Sequence, residues 1–203
     1  QGVPQDDKEA VKWYLKSAEQ GNGRAQARLG LMYDNGQGVP EDDKEAVKWY
    51  LMSAVQGYPQ PQVNLGNMYR DGQGVLQDDK EAVKWFRMSA EQGDSTGQFN
   101  LGVSYDNGQG VPQNHKEAVK WYLKSAEQGV PKAQSNLGAM YAYGQGVPQD
   151  DVYAHMWWNI ASSNGNKNGA NNRDIVVERM TKDQIAEAQK LARECVKKNY
   201  KGC

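Results

Sequence analysis

Two histidines, two cysteines and a recurring Gly-x-Gly loop are the residues of this 203-residue chain from which chemistry could be built. A zinc centre needs clustered ligands at helix or loop spacing. His115 and His155 each stand alone, so no metal is expected. His115 takes a position held in neighbouring units by Asp7, Asp43, Asp79 and Asp151, and reads as a surface substitution rather than a general base. The Gly-x-Gly loops lack the Lys-Ser/Thr that would make them phosphate cradles, so they read as turns. No Gly-x-Ser-x-Gly elbow occurs and no Ser precedes a Lys by three residues, which removes the usual acyl-serine arrangements. No catalytic residue and no cofactor are expected.

Cys195 and Cys203 could form one disulfide, with Gly202 between them. A clip over so short a loop contributes roughly 2–3 kcal/mol if unstrained. Two free thiols are the alternative. The balance of 24 Lys plus Arg against 25 Asp plus Glu, net −1, provides no field for nucleic acid or an anionic membrane. Mean hydropathy of −0.89 is polar for a compact domain, yet 6 Trp and 11 Tyr are too many aromatics for a disordered chain. No run of the ~18 apolar residues needed for a membrane span is present.

What positions these residues is a repeat. Gly-Gln-Gly-Val recurs at Gly36, Gly72, Gly108 and Gly144, a period of 36. Around it, Val39-Pro40-Glu41-Asp42-Asp43-Lys44-Glu45-Ala46-Val47-Lys48-Trp49-Tyr50 returns from Val3, Val75 and Val111, and in altered form from Val147. A fixed period of this length means stacked units, none able to bury its apolar face alone. Each unit reads as two helices. The first, about Asp7 to Gln20, opens on acids and stops at Gly21; the second, about Arg24 to Asn35, ends at Asn35-Gly36. Gly30, Gly66, Gly102 and Gly138 sit inside the second helix at about 1 kcal/mol each relative to Ala, which predicts helices too close for a side chain.

The units are expected at 3–38, 39–74, 75–110 and 111–146, with a partial one at 147–163, so that repeats fill 1–163. Residues 164–203 read as a degenerate last repeat helix and a C-terminal capping helix. Exposed lysines spaced by four (Lys8 and Lys12 in the first unit) give way to Val152, Met156 and Ile160 in the fifth. Something should cover them. The helix opened by Thr181, with Gln184 as its capping-box partner, offers Ile185, Ala188, Leu191, Ala192, Cys195 and Val196.

Ala25-Gln26-Ala27-Arg28-Leu29-Gly30-Leu31-Met32-Tyr33 and Ala46-Val47-Lys48-Trp49-Tyr50, renewed in every unit, resemble the Sel-1-like repeat (SLR), a relative of the tetratricopeptide repeat. The resemblance implies an all-α fold, a right-handed superhelical α-solenoid of antiparallel helix pairs whose short helices line a concave groove. It also implies a bacterial origin. The chain opens inside the Gly-Gln-Gly-Val-Pro phrase, so an upstream helix and a signal peptide are expected outside it.

Four copies of the short helix can be compared within the chain. Gln26, Gln62, Gln98 and Gln134, the leucines from Leu29 to Leu137, and the tyrosines from Tyr33 to Tyr141 are constant and build the stack. Five columns vary. They are Arg24, Gln60, Thr96 and Lys132; Ala27, Val63, Phe99 and Ser135; Leu31, Asn67, Val103 and Ala139; Asp34, Arg70, Asp106 and Ala142; and Asn35, Asp71, Asn107 and Tyr143. At about 100° per residue they share an arc of about 100°, which predicts one face free of packing. The same variation would arise from exposed, unselected positions.

As a partner-binding face, Phe99, Leu31, Val63, Val103 and Tyr143 would be apolar anchors, and Arg24, Arg70, Lys132, Asp34, Asp71 and Asp106 charged discriminators. The expected function is a monomeric, non-enzymatic scaffold or adaptor for a partner protein or peptide, periplasmic or secreted, in host interaction or signalling. The alternative is a penicillin-binding or β-lactamase-like enzyme of the cysteine-rich SLR branch. That branch resembles this chain in its repeats but carries a Cys pair in each, and here the repeats have none. A third reading is a spacer for something upstream.

Overall fold

The computed structural model describes residues 6–203, so the opening of the first repeat at Val3 lies outside the described residues. Among these there are eleven helices and no strand. The chain forms two compact units, residues 1–97 and 98–203. Unit one holds α1 (Asp7–Glu19), α2 (Gly23–Asp34), α3 (Asp43–Ala54), α4 (Pro59–Asp71) and α5 (Asp79–Glu91). Unit two begins within α6 (Ser95–Asn107) and holds α7 (His115–Ala126), α8 (Pro131–Tyr143), α9 (Asp151–Ser163), α10 (Lys167–Val177) and α11 (Lys182–Lys197). Within each unit, successive repeat helices pack on one another, the α-solenoid arrangement the period calls for, and the last helix, α11, packs back on α9.

The repeated sequence specifies each helix start. The carboxylate of Asp42 accepts from the Lys44 and Glu45 backbone N–H at 3.0 and 3.1 Å. Asp6, Asp78, Asn114 and Asp150 do the same for α1, α5, α7 and α9. The backbone N–H of Asp42 in turn donates to the Tyr33 carbonyl at 3.0 Å, and Asp78, Asn114 and Asp150 repeat the bond to Tyr69, Tyr105 and Tyr141. Pro59 and Pro131 open α4 and α8, where a missing N–H costs nothing. The Gly-x-Gly loops are turns: Gly38 has φ +72°, and a Cβ there would lie 2.4 Å from the Asp7 carbonyl.

Leu29, Leu65, Leu101 and Leu137 are all essentially buried, and Leu29, Leu65 and Leu137 lie in the core clusters with Met32, Met68 and Met140. Each constant glutamine is buried and bridges two elements. Gln62 donates to the Ala54 carbonyl at 3.0 Å and accepts from Gln92 at 2.8 Å. In the last repeat Asn164 takes over the outer role, donating to Gln134 at 2.9 Å. A buried amide with both ends engaged avoids the penalty for an unpaired polar group.

The mid-helix glycines do permit close approach, because each faces an aromatic ring from the next long helix. A Cβ on Gly30 would lie 2.6 Å from the Tyr50 ring, on Gly66 2.5 Å from Phe86, on Gly102 2.7 Å from Tyr122 and on Gly138 2.7 Å from Trp158. At the C-terminal end, Met156 and Ile160 are buried under α11 in one cluster with Ala192 and Cys195, and Ala188 is buried on the same helix. Val152 is only half-buried and Val196 is 45% exposed, so the seam between the two helices is narrower than the apolar stripe suggests. Thr181 and Gln184 form the reciprocal capping box at the start of α11. The Cys195 and Cys203 sulfurs are bonded, with Cα atoms 5.5 Å apart, and the tail they clip places Tyr200 Oη 3.2 Å from Asn164.

Candidate partner-binding face

The variable columns occupy one side of the short helices, but the side is not wholly free of packing. Val63 is 1% exposed and Ser135 8%, so neither can serve as a contact residue. Tyr50 donates to Asp34 at 3.0 Å and Tyr122 to Asp106 at 3.1 Å, which commits those carboxylates to the following long helix. The reason is geometric. At about 100° per residue, the columns of Ala27 and Asp34 lie together at one edge of the arc, where the next long helix packs, while that of Leu31 lies near its centre and those of Arg24 and Asn35 lie toward the opposite, open edge.

The remaining residues divide accordingly. Arg24, Gln60, Thr96, Lys132, Asn35, Asp71, Asn107 and Tyr143 are exposed, Tyr143 at 69%. Ala27, Leu31, Asn67, Arg70, Phe99, Val103 and Ala139 are half-buried. Arg70 lies on its neighbour Asp71 through two bonds of 2.7 and 2.8 Å, which holds the Asp71 carboxyl below the usual range. Phe99 and Val103 lean on the unit-two core, with the Phe99 ring 6.0 Å from that of Tyr122.

His115 is not a simple surface substitution. Its Nδ1 lies 3.0 Å from Asp106 Oδ1, while Tyr122 holds the other carboxylate oxygen. The three form a bonded chain from α7 to the end of α6. No Ser or Cys takes part in it, so it orients side chains rather than activating a nucleophile.

In unit one the face deepens into a cavity of about 580 Å³ between α2 and α4. Arg24, Ala27, Leu31 and Gln60 from the variable columns line it, together with Arg28, Tyr50, Tyr58, Pro59, Pro61 and Asn64. Most of this lining is apolar. The last six were not among the expected site residues. One signal was present: the column of Arg28 holds Asn64, Asn100 and Asn136 elsewhere, so an arginine there is an exception. Tyr58 and Pro59 lie in the inter-helix loop and at the first position of α4, outside the columns compared.

The Sel1 repeat model matches the chain over residues 1–22, 23–58, 62–94, 95–130 and 131–166. Among solved structures, a protective antigen present in uropathogenic Escherichia coli strains, displaying an SLR fold, is 38% identical with a TM-score of 0.87 over 94% of this chain. The chain spans 42% of that protein's length. A Sel1 repeat protein from Oxalobacter formigenes is 34% identical with a TM-score of 0.81, covering 94% of this chain and 78% of the other. Helicobacter pylori cysteine rich protein B, at 23% identity and a TM-score of 0.51 over 65% of this chain and 95% of its own, shares the fold. No curated relative matches the chain.

Proposed function

The chain belongs to the Sel1 repeat family, and from that premise we propose that it is a non-enzymatic adaptor whose short-helix face holds a segment of another protein. Sel1 repeat proteins are generally protein-interaction scaffolds. The observation that carries the reading here is the unit-one cavity, where Ala27 and Leu31 join Tyr58 and Pro61 on an apolar floor and Arg24 and Gln60 supply polar groups at its rim. A concave apolar surface with a few placed polar groups is how proteins seat a ligand segment. Lys132 and Tyr143 are exposed on the corresponding side of unit two.

The periplasm or the extracellular space suits the bonded Cys195–Cys203 pair, since disulfides persist in oxidising compartments. No helix among the described residues is long and apolar enough to cross a membrane. The cell-wall enzyme reading retains only a shared fold in its support, because the cysteines that mark its branch are missing from the repeats.

Affinity enrichment from bacterial envelope and host-cell extracts, run in parallel with the full chain and with Arg24→Ala/Leu31→Glu, tests the adaptor. Both proteins must first show the same thermal transition. Partners held by the parent and lost by the variant support the reading; identical sets on both place the binding surface elsewhere.

A further inference from the structure

We propose that the unit-one cavity recognises an extended peptide segment in which an acidic side chain neighbours a bulky apolar one. This rests on the adaptor reading and adds the chemistry of the ligand. Arg24 and Arg28 are the only charged residues lining the cavity, and no acid lines it. They stand four apart on α2, which brings their side chains to one spot about 6 Å apart at Cβ. Neither side chain makes an ion pair or hydrogen bond among the described residues. In unit one Lys12, Lys48 and Lys84 are each paired with a glutamate three residues before them, while the exposed Lys8, Lys16, Lys44 and Lys80 have no ion pair among the described residues but do not line this apolar cavity. Two adjacent guanidiniums left without an acid, on the rim of an apolar cleft, form the positive half of a charge pair whose partner is not in this chain.

The rest of the cavity supplies the apolar half. Leu31, Pro61 and the Tyr58 ring make a floor suited to one large side chain. The groove also has polarity. Asp34 lies six residues beyond Arg28 on the same helix, about 9 Å along the axis, so a bound segment would place its acid at the start of α2. Planar guanidiniums favour the bidentate carboxylate contact over a point-charge contact, which selects Asp or Glu over neutral polar residues.

Phage-displayed random heptapeptides selected against the full chain test the assignment. The expected enrichment pairs Asp or Glu with Phe, Trp, Leu or Met within two positions. A fluorescein-labelled copy of the best sequence should lose about tenfold in affinity with Arg24→Ala and again with Arg28→Ala, and should weaken as salt is raised. The charge-reversed pair Arg24→Glu/Arg28→Glu should turn the selection toward Lys and Arg. Enriched peptides without an acid, or acidic ones that bind the arginine variants equally, overturn the proposal. If such neutral peptides are lost on Leu31→Glu, the adaptor reading survives without it. If nothing is enriched, or enriched peptides ignore Leu31→Glu, both fail.

Discussion

Tyr50 Oη donates to Asp34 Oδ2 at 3.0 Å, tying α3 to the C-terminal end of α2 across sixteen residues. The same pair recurs as Tyr122 and Asp106 at 3.1 Å. Where Arg70 replaces the acid, the residue sixteen on is Phe86, which has no hydroxyl to satisfy. Where Ala142 replaces it, the partner is Trp158, whose indole N–H turns to the Ser135 carbonyl at 2.9 Å. A column that looks freely variable in one helix is therefore matched to a column in the next.

This pairing predicts a measurable coupling. In a double-mutant cycle, Tyr50→Phe and Asp34→Ala should show about 1 kcal/mol of interaction in urea unfolding. Burial first, then the Asp34 charge, raise the Tyr50 pKa above its ordinary value. That contribution is therefore fully present below about pH 10 and lost as pH rises further. Strictly additive single effects would show that the bond contributes nothing.

Gly66→Ala should destabilise unit one even though Ala is the better helix former by about 1 kcal/mol. The new methyl would meet the Phe86 ring at 2.5 Å, and overpacking of this kind costs about 1–3 kcal/mol. A net loss of up to roughly 2 kcal/mol in unfolding free energy, read as a lowered denaturant midpoint, is expected. An unchanged or raised midpoint would mean the ring moves aside freely.

His155 carries a pH dependence. It is 2% exposed and its Nδ1 has no partner. Burial, reinforced by Arg173 and only partly opposed by Asp174, lowers its pKa below the ordinary 6.5. The unfolded chain then binds more protons than the folded one just below that value, so stability falls as pH drops from 7 toward 5, by up to about 1.4 kcal/mol per pH unit. His155→Leu should flatten the profile in that window. Parallel profiles for the two proteins would assign the effect to other groups.

The Cys195–Cys203 bond should hold the tail more than the stack. Gly202 donates to Glu127 at 3.0 Å and Tyr200 reaches Asn164, so the clip presses residues 198–203 onto unit two. Reduction should cost roughly 2–3 kcal/mol and raise hydrogen exchange in the tail well before it does so in α9. Thiol titration of denatured protein kept under air should find none before reductant and two after. Two thiols beforehand would contradict the bond.

The repeat itself was readable without coordinates, because period, helix caps and turn glycines act within a few residues of themselves. The 36-residue spacing located the helix pairs, the Asp-Asp-Lys phrase their starts, and the leucine column their buried stripe. The mid-helix glycines announced a close approach but not its partner. That partner lies twenty residues on, at Tyr50, Phe86, Tyr122 and Trp158, and only the packing of one helix on the next identifies it. The variable face was legible as an arc but not in its depth. A helix in a stack has neighbours on two sides, so the edge of the arc bearing Val63, Ser135 and Asp34 is claimed by the following helix while Leu31 near its centre and Arg24 toward the other edge stay open. The cavity walls came from Tyr58, Pro59 and Pro61, whose place depends on how α4 begins against α2. Local rules determine elements; which surfaces remain for a partner is decided by the packing between them.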